Sequence, residues 1–64
     1  MKEKISQRLS REQLVAKLRE LAGQMEKGAV SFGDRTIGIP DSTVLTLEWK
    51  EKYTRKKLEI EIEW

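Results

Sequence analysis

The sequence predicts an α+β domain: one amphipathic helix packed on one face of a four- to five-stranded, mainly antiparallel sheet, in the order β-α-β-β-β-β. Three observations carry this expectation. A capped stretch of helical periodicity occupies the first half, and an apolar alternation of period two, broken by turn residues, fills the second. Last, Leu58-Glu59-Ile60-Glu61-Ile62-Glu63-Trp64 alternates apolar and acidic residues without a fault. At 64 residues the chain makes one domain, 1–64, and a domain of that size buries only ~60% of the surface its unfolded chain exposes. With no cysteine and no histidine, neither disulfides nor zinc can supplement the core, and oligomerisation is the remaining route to stability.

Taken in order, the segment Lys4-Ile5-Ser6-Gln7-Arg8-Leu9 has two apolar positions and is read as an edge strand. Ser10 followed three residues later by Gln13 forms a capping box, with Leu9 and Leu14 placed for a hydrophobic staple and Glu12 near the positive end of the helix dipole. Leu14, Val15, Leu18, Leu21, Ala22 and Met25 then share one helical face, and Lys17, Arg19, Glu20, Gln24 and Glu26 the other. Lys27 and Gly28 supply a stop, so the helix should span about 11–27. Gly23 inside it costs ~1 kcal/mol relative to alanine. Either that cost is tolerated or a close backbone approach requires the missing side chain, and close packing is the preferred reading.

Beyond Gly28, Val30 and Phe32 alternate, Gly33-Asp34 supplies turn chemistry, and Ile37 and Ile39 alternate again, which reads as a short hairpin. Pro40-Asp41-Ser42 turns the chain into a longer strand, with Leu45, Leu47, Trp49 and Tyr53 on one face and Val44, Thr46, Glu48, Lys50 and Lys52 on the other. This strand should pair with the acidic-apolar one, whose apolar row would lie beneath the helix. Pairing Trp49 with Ile60 sets Lys50 opposite Glu59, whereas pairing Trp49 with Leu58 opposes Glu48 to Glu59 and Lys50 to Lys57. Like charges directly opposed are unfavourable, so the first register is expected.

With the capped helix, the hairpin and the last strand placed, the chain resembles the amphi-Trp domain family, named for an amphipathic carboxyl-terminal stretch ending at tryptophan. The residues that carry the resemblance are Leu9-Ser10-Arg11-Glu12 at the helix start, 18–22 within the helix, 28–32 after it and 58–64. It covers nearly all of 5–64. The resemblance implies a small stand-alone or appended domain and carries over no site residue. The basic run near Arg55 departs from a family whose members are frequently acidic.

The charged clusters define what chemistry is available. A formal charge of +2, from 13 basic and 11 acidic residues, selects no partner by itself. Lys50, Lys52, Arg55, Lys56 and Lys57 gather beside Tyr53 at a hairpin tip, where cations could neutralise phosphates while the ring stacks on a base. The plainer reading is a solvated tip that blunts the adjoining strand edges. Glu59, Glu61 and Glu63 lie ~6.6–7 Å apart along a strand, too far for adjacent carboxylates to share an ion without reaching inward. Exposure also leaves them unsuited to acid catalysis near neutral pH. Residues 31–38 lack the Lys-Ser/Thr and the following helix of a phosphate loop. Ser10 has no histidine to activate it.

No enzyme activity and no cofactor are therefore expected. The leading expectation is a cytoplasmic, non-enzymatic module that binds itself or another protein through an exposed sheet edge or uncovered apolar residues, with Ile60, Ile62 and Trp64 as candidate interface residues. Trp64 could close either its own core or a neighbour's. The alternative is a weak nucleic-acid binder using Lys50, Lys52, Tyr53, Arg55, Lys56 and Lys57. No apolar run approaches the ~18 residues of a membrane span, so no membrane partner is expected.

Overall fold

The computed structural model describes residues 2–64, arranged as α1 (Arg11–Glu26), β1 (Ala29–Phe32), β2 (Arg35–Gly38), β3 (Val44–Lys52) and β4 (Arg55–Glu63). The helix begins where its cap dictates. Ser10 Oγ accepts from the Gln13 N–H at 3.1 Å, and Gln13 Oε1 accepts from the Ser10 N–H at 3.0 Å, closing the capping box. At the other end the N–H groups of Lys27 and Gly28 donate to the carbonyls of Gln24 and Met25. Gly28 then takes φ 93°, a left-handed turn that feeds the chain directly into β1.

The strands form two separate antiparallel hairpins, β1-β2 and β3-β4, and not the single four- to five-stranded sheet that the alternation pattern suggests. Residues 4–9 form no strand. With only Ile5 and Leu9 as apolar residues, this segment has too little to bury, and its Glu3 end is tied to β2 by an ion pair with Arg35 at 3.0 Å.

The helix covers one hairpin only. α1 approaches β1, whereas β3 and β4 approach each other and no other element. A side-chain bond fixes the first contact: Gln24 Oε1 accepts from the Ser31 N–H at 2.7 Å, and Glu20 holds the Gln24 amide from the next turn at 3.3 Å. Leu21, Met25, Val30, Phe32, Ile37 and Ile39 are half-buried around it, and no described residue is fully buried. Gly23 makes no close approach, since nothing lies within 4 Å of where its Cβ would be. The glycine is therefore a tolerated weakness in the helix and not a packing device. A 16-residue helix is only ~24 Å long, which is enough for the short hairpin but not for both. The Cα radius of gyration is 13.5 Å, against ~11 Å for a compact chain of this length.

The long hairpin also corrects the expected register. Trp49 pairs with Leu58, Lys50 with Lys57 and Glu48 with Glu59. Turn geometry decides this: Tyr53 and Thr54 make a two-residue turn, Lys52 pairs with Arg55, and every later pair follows. β4 accordingly starts three residues before Leu58, and Tyr53 sits in the turn and not on the apolar row. The opposed like charges interleave along each strand and once diagonally across the pair. Lys50 Nζ lies 3.4 Å from Glu48 and 3.8 Å from Glu59, while Lys57 Nζ lies 2.8 Å from Glu59. The two like-charged pairs thus form one mixed cluster, which removes the penalty that favoured the other register.

Candidate functional site

The β3-β4 register places Leu45, Leu47, Trp49, Leu58, Ile60 and Ile62 on one face of the hairpin, because residues two apart share a face and each of these pairs with another of the set. Leu45 pairs with Ile62, Leu47 with Ile60 and Trp49 with Leu58. Six cross-strand apolar side chains in three successive rungs make an uninterrupted patch. Among the described residues no other element approaches it: Leu47 and Leu58 are each 63% exposed and Trp49 is 59% exposed, while Ile62 at the far rung is half-buried. The candidate interface residues Ile60 and Ile62 fall within this patch. Trp64 follows β4 and is likewise exposed.

The alternation places the apolar row of the last strand beneath the helix, whereas in the structure Leu58 is exposed, as are Leu45, Leu47 and Trp49 on the strand beside it. One helical stripe covers only part of such a set of strands, so either some apolar residues stay exposed or a second copy covers them. The stripe itself is incompletely covered, with Leu14, Val15 and Leu18 exposed.

The opposite face of the long hairpin carries Val44 and Thr46 at its far end and charged residues elsewhere, ordered by sign along β4. Near the tip, Lys52, Arg55, Lys50 and Lys57 occupy successive positions, and Glu59, Glu61 and Glu63 follow toward the far end. Lys50, Lys52, Arg55, Lys56 and Lys57 line a shallow hollow at the tip. Tyr53 projects beyond it, 91% exposed, with the Lys52 ammonium 5.7 Å from its ring centroid. Lys50 and Lys57 are partly spent on Glu59, and Lys56 lies on the apolar side of the register beside Glu51. The six nucleic-acid candidates therefore share one end of the molecule but not one face.

The three glutamates are not equivalent. A hydrogen bond from Lys57, with the charges of Lys50 and Lys57, holds the Glu59 carboxyl below its ordinary range, and Glu59 in turn raises the Lys57 ammonium. Glu61 is pushed up instead, by a hydrogen bond and repulsion from Glu63. Among the described residues no cation lies within 4.0 Å of the Glu61 or Glu63 carboxylates. No group of three or more His, Cys, Asp or Glu among these residues is arranged to hold a metal ion. No described helix is long and apolar enough to cross a membrane. No family model, curated protein sequence or solved structure matches the chain.

Proposed function

We propose that this chain is a non-enzymatic self-association module, cytoplasmic and of the amphi-Trp type, that buries the apolar face of its long hairpin against the same face of another copy. The observation that carries the reading is the patch of Leu45, Leu47, Trp49, Leu58, Ile60 and Ile62, three rungs deep and covered by no other element. Surface area supports it. The chain exposes 6454 Å², whereas a folded monomer of 7.5 kDa is expected to expose about 4,200 Å². The excess, about 2,200 Å² per chain, is shared between this patch, the helix stripe and the hairpin tip, and is of the size that obligate homodimers bury. A second copy is the occupant that matches such a face on its own terms, since two aligned sheets stack ~10 Å apart through interdigitated side chains.

Light scattering over a tenfold dilution tests the reading. A mass of two or more chains that falls on dilution is the expected result. A cooperatively folded species of one chain at every concentration overturns it.

A second reading has its own observation, the basic hollow at the hairpin tip beside the exposed Tyr53. It proposes weak binding of single-stranded nucleic acid, with affinity that falls steeply with added salt. Binding to a fluorescent oligonucleotide at low salt, lost on reversing Arg55, Lys56 and Lys57, supports it. An absence of binding at low salt removes it.

A further inference from the structure

Among the described residues nothing pairs with the outer edge of β4, and its charges are sorted. Along the polar face of this strand the order is Arg55, Lys57, Glu59, Glu61, Glu63, basic at the tip and acidic at the far end. The middle of this row is satisfied within the hairpin by the contacts of Glu59 with Lys57 and Lys50. Its ends are not: among the described residues no carboxylate lies within 4.0 Å of the Arg55 guanidinium, and no cation reaches Glu61 or Glu63. A strand that is positive at one end and negative at the other is complementary to itself when reversed.

We propose that β4 pairs antiparallel with β4 of a second copy about a two-fold axis at Glu59, joining two hairpins edge to edge. In this register Arg55 of each copy stands opposite Glu63 of the other, and Lys57 stands opposite Glu61. All nine residues of β4 are paired, and Leu58 faces Ile60 on the apolar side. Backbone geometry agrees with the charges. The pair flanking a two-residue turn exchanges both hydrogen bonds and the pattern alternates from there, so the even-numbered residues of β4 direct N–H and C=O to the open edge. Pairing Leu58 with Ile60 and Lys56 with Ile62 meets those groups with groups of the same kind. The Glu59 carboxylates that meet on the axis each carry a lysine already.

A shift by two residues, centred on Leu58, also opposes unlike charges but leaves Glu63 opposite the turn. β3 offers no comparable edge, because its polar face carries Glu48, Lys50 and Lys52 and no acidic end. The inference rests on the self-association reading but uses a different surface. Edge pairing leaves the apolar face open, so face and edge contacts can coexist, and the closed assembly that uses both contains four copies.

Cysteine cross-linking reads the register directly, since the chain has no cysteine of its own. Residue 59 falls at a non-hydrogen-bonded pair on the axis, where Cα atoms are ~4.5 Å apart, within the ~4.4–6.8 Å of disulfides. Glu59→Cys is expected to form a disulfide dimer under mild oxidation at least tenfold faster than Glu61→Cys or Leu58→Cys. The native chain is expected to weigh four copies. Arg55→Glu and Glu63→Arg should each reduce it to two, with about a tenfold weaker edge contact, and the double variant should restore four. Because Arg55→Glu places an acid opposite Lys52 within the hairpin, its loss of mass cannot be ascribed to a weakened fold. Two copies with no Glu59→Cys disulfide overturn the edge pairing and leave the face reading standing. Faster cross-linking of Leu58→Cys overturns this register. One copy at every concentration without cross-linking removes both.

Discussion

The two hairpins share a turn length and differ in almost everything the turn is attached to. Gly33-Asp34 and Tyr53-Thr54 each connect two strands with two residues, and in each the first residue has positive φ, 61° at Gly33 and 55° at Tyr53. Glycine adopts that backbone freely, while a bulky side chain there is strained by ~1–2 kcal/mol. The short hairpin thus has the easier turn and an immediate partner in α1. The long hairpin has a strained turn, nine-residue strands and no packing partner among the described residues. Local turn chemistry therefore does not tell which hairpin is independently stable. Length and cross-strand pairing do more for the second, and burial more for the first.

The largest expected effect breaks the exposed member of the comparison. Leu47→Asp puts a charge at the middle rung of the apolar patch, and with ~1.5–3 kcal/mol of burial lost per copy face association should weaken by at least about 100-fold. Sedimentation measures this, and helical circular dichroism should be unchanged because α1 does not touch β3. The equivalent insult to the short hairpin, Ile37→Asp, should instead reduce the helical signal, since Ile37 pairs with Val30 of β1, the strand that α1 approaches.

Turn substitutions are next, with opposite signs. Gly33→Ala should destabilise the short hairpin by ~1 kcal/mol, and Tyr53→Gly should stabilise the long one by up to ~1 kcal/mol, less the entropy glycine adds to the unfolded chain. Amide exchange in β1 and in β4, compared between the variants, separates the two. Gln24→Ala should cost ~0.5–1.5 kcal/mol by leaving the Ser31 N–H without its acceptor. Faster exchange at Ser31, with β4 unaffected, is the expected pattern.

The smallest effect is in pH dependence. Glu59 titrates below the usual 4.5 because Lys57 and Lys50 hold it ionised, so its contribution to hairpin stability is present above that value and fades as pH falls through the lowered one. Glu61 behaves oppositely: Glu63 raises its titration, so ionising it opposes the hairpin, and acidification relieves that opposition. Carboxyl NMR on the dissociated chain should therefore show Glu59 titrating first as pH rises from acid and Glu61 after it. Identical midpoints would indicate that the interleaved lysines do not hold their positions in solution.

Local features were legible because local chemistry decides them. Ser10 and Gln13 bond each other three residues apart, Gly28 supplies its own stop, and Gly33-Asp34 turns without outside help. The edge-strand reading of 4–9 failed because a strand exists only if something pairs with it, and two apolar residues offered no reason to dock. Register failed for a related cause. Two lysines and two glutamates interleave across the hairpin, and a two-residue turn dictates pairing more strongly than ~0.2–1 kcal/mol of cross-strand charge. The candidate site is half legible: the apolar row of Ile60 and Ile62 follows from the alternation, but whether a helix covers it does not.

By itself the sequence determined the capped helix, two hairpins and a last strand with one apolar and one charged side, because each follows from contacts within a few residues or a period of two. Only the tertiary structure decided that the helix covers the short hairpin and leaves the long one bare. That choice depends on where a 16-residue helix can reach after Gly28 reverses the chain onto β1, and on the Gln24 to Ser31 bond that holds it there. Periodicity states which face is apolar. What covers that face is a matter of distance in three dimensions.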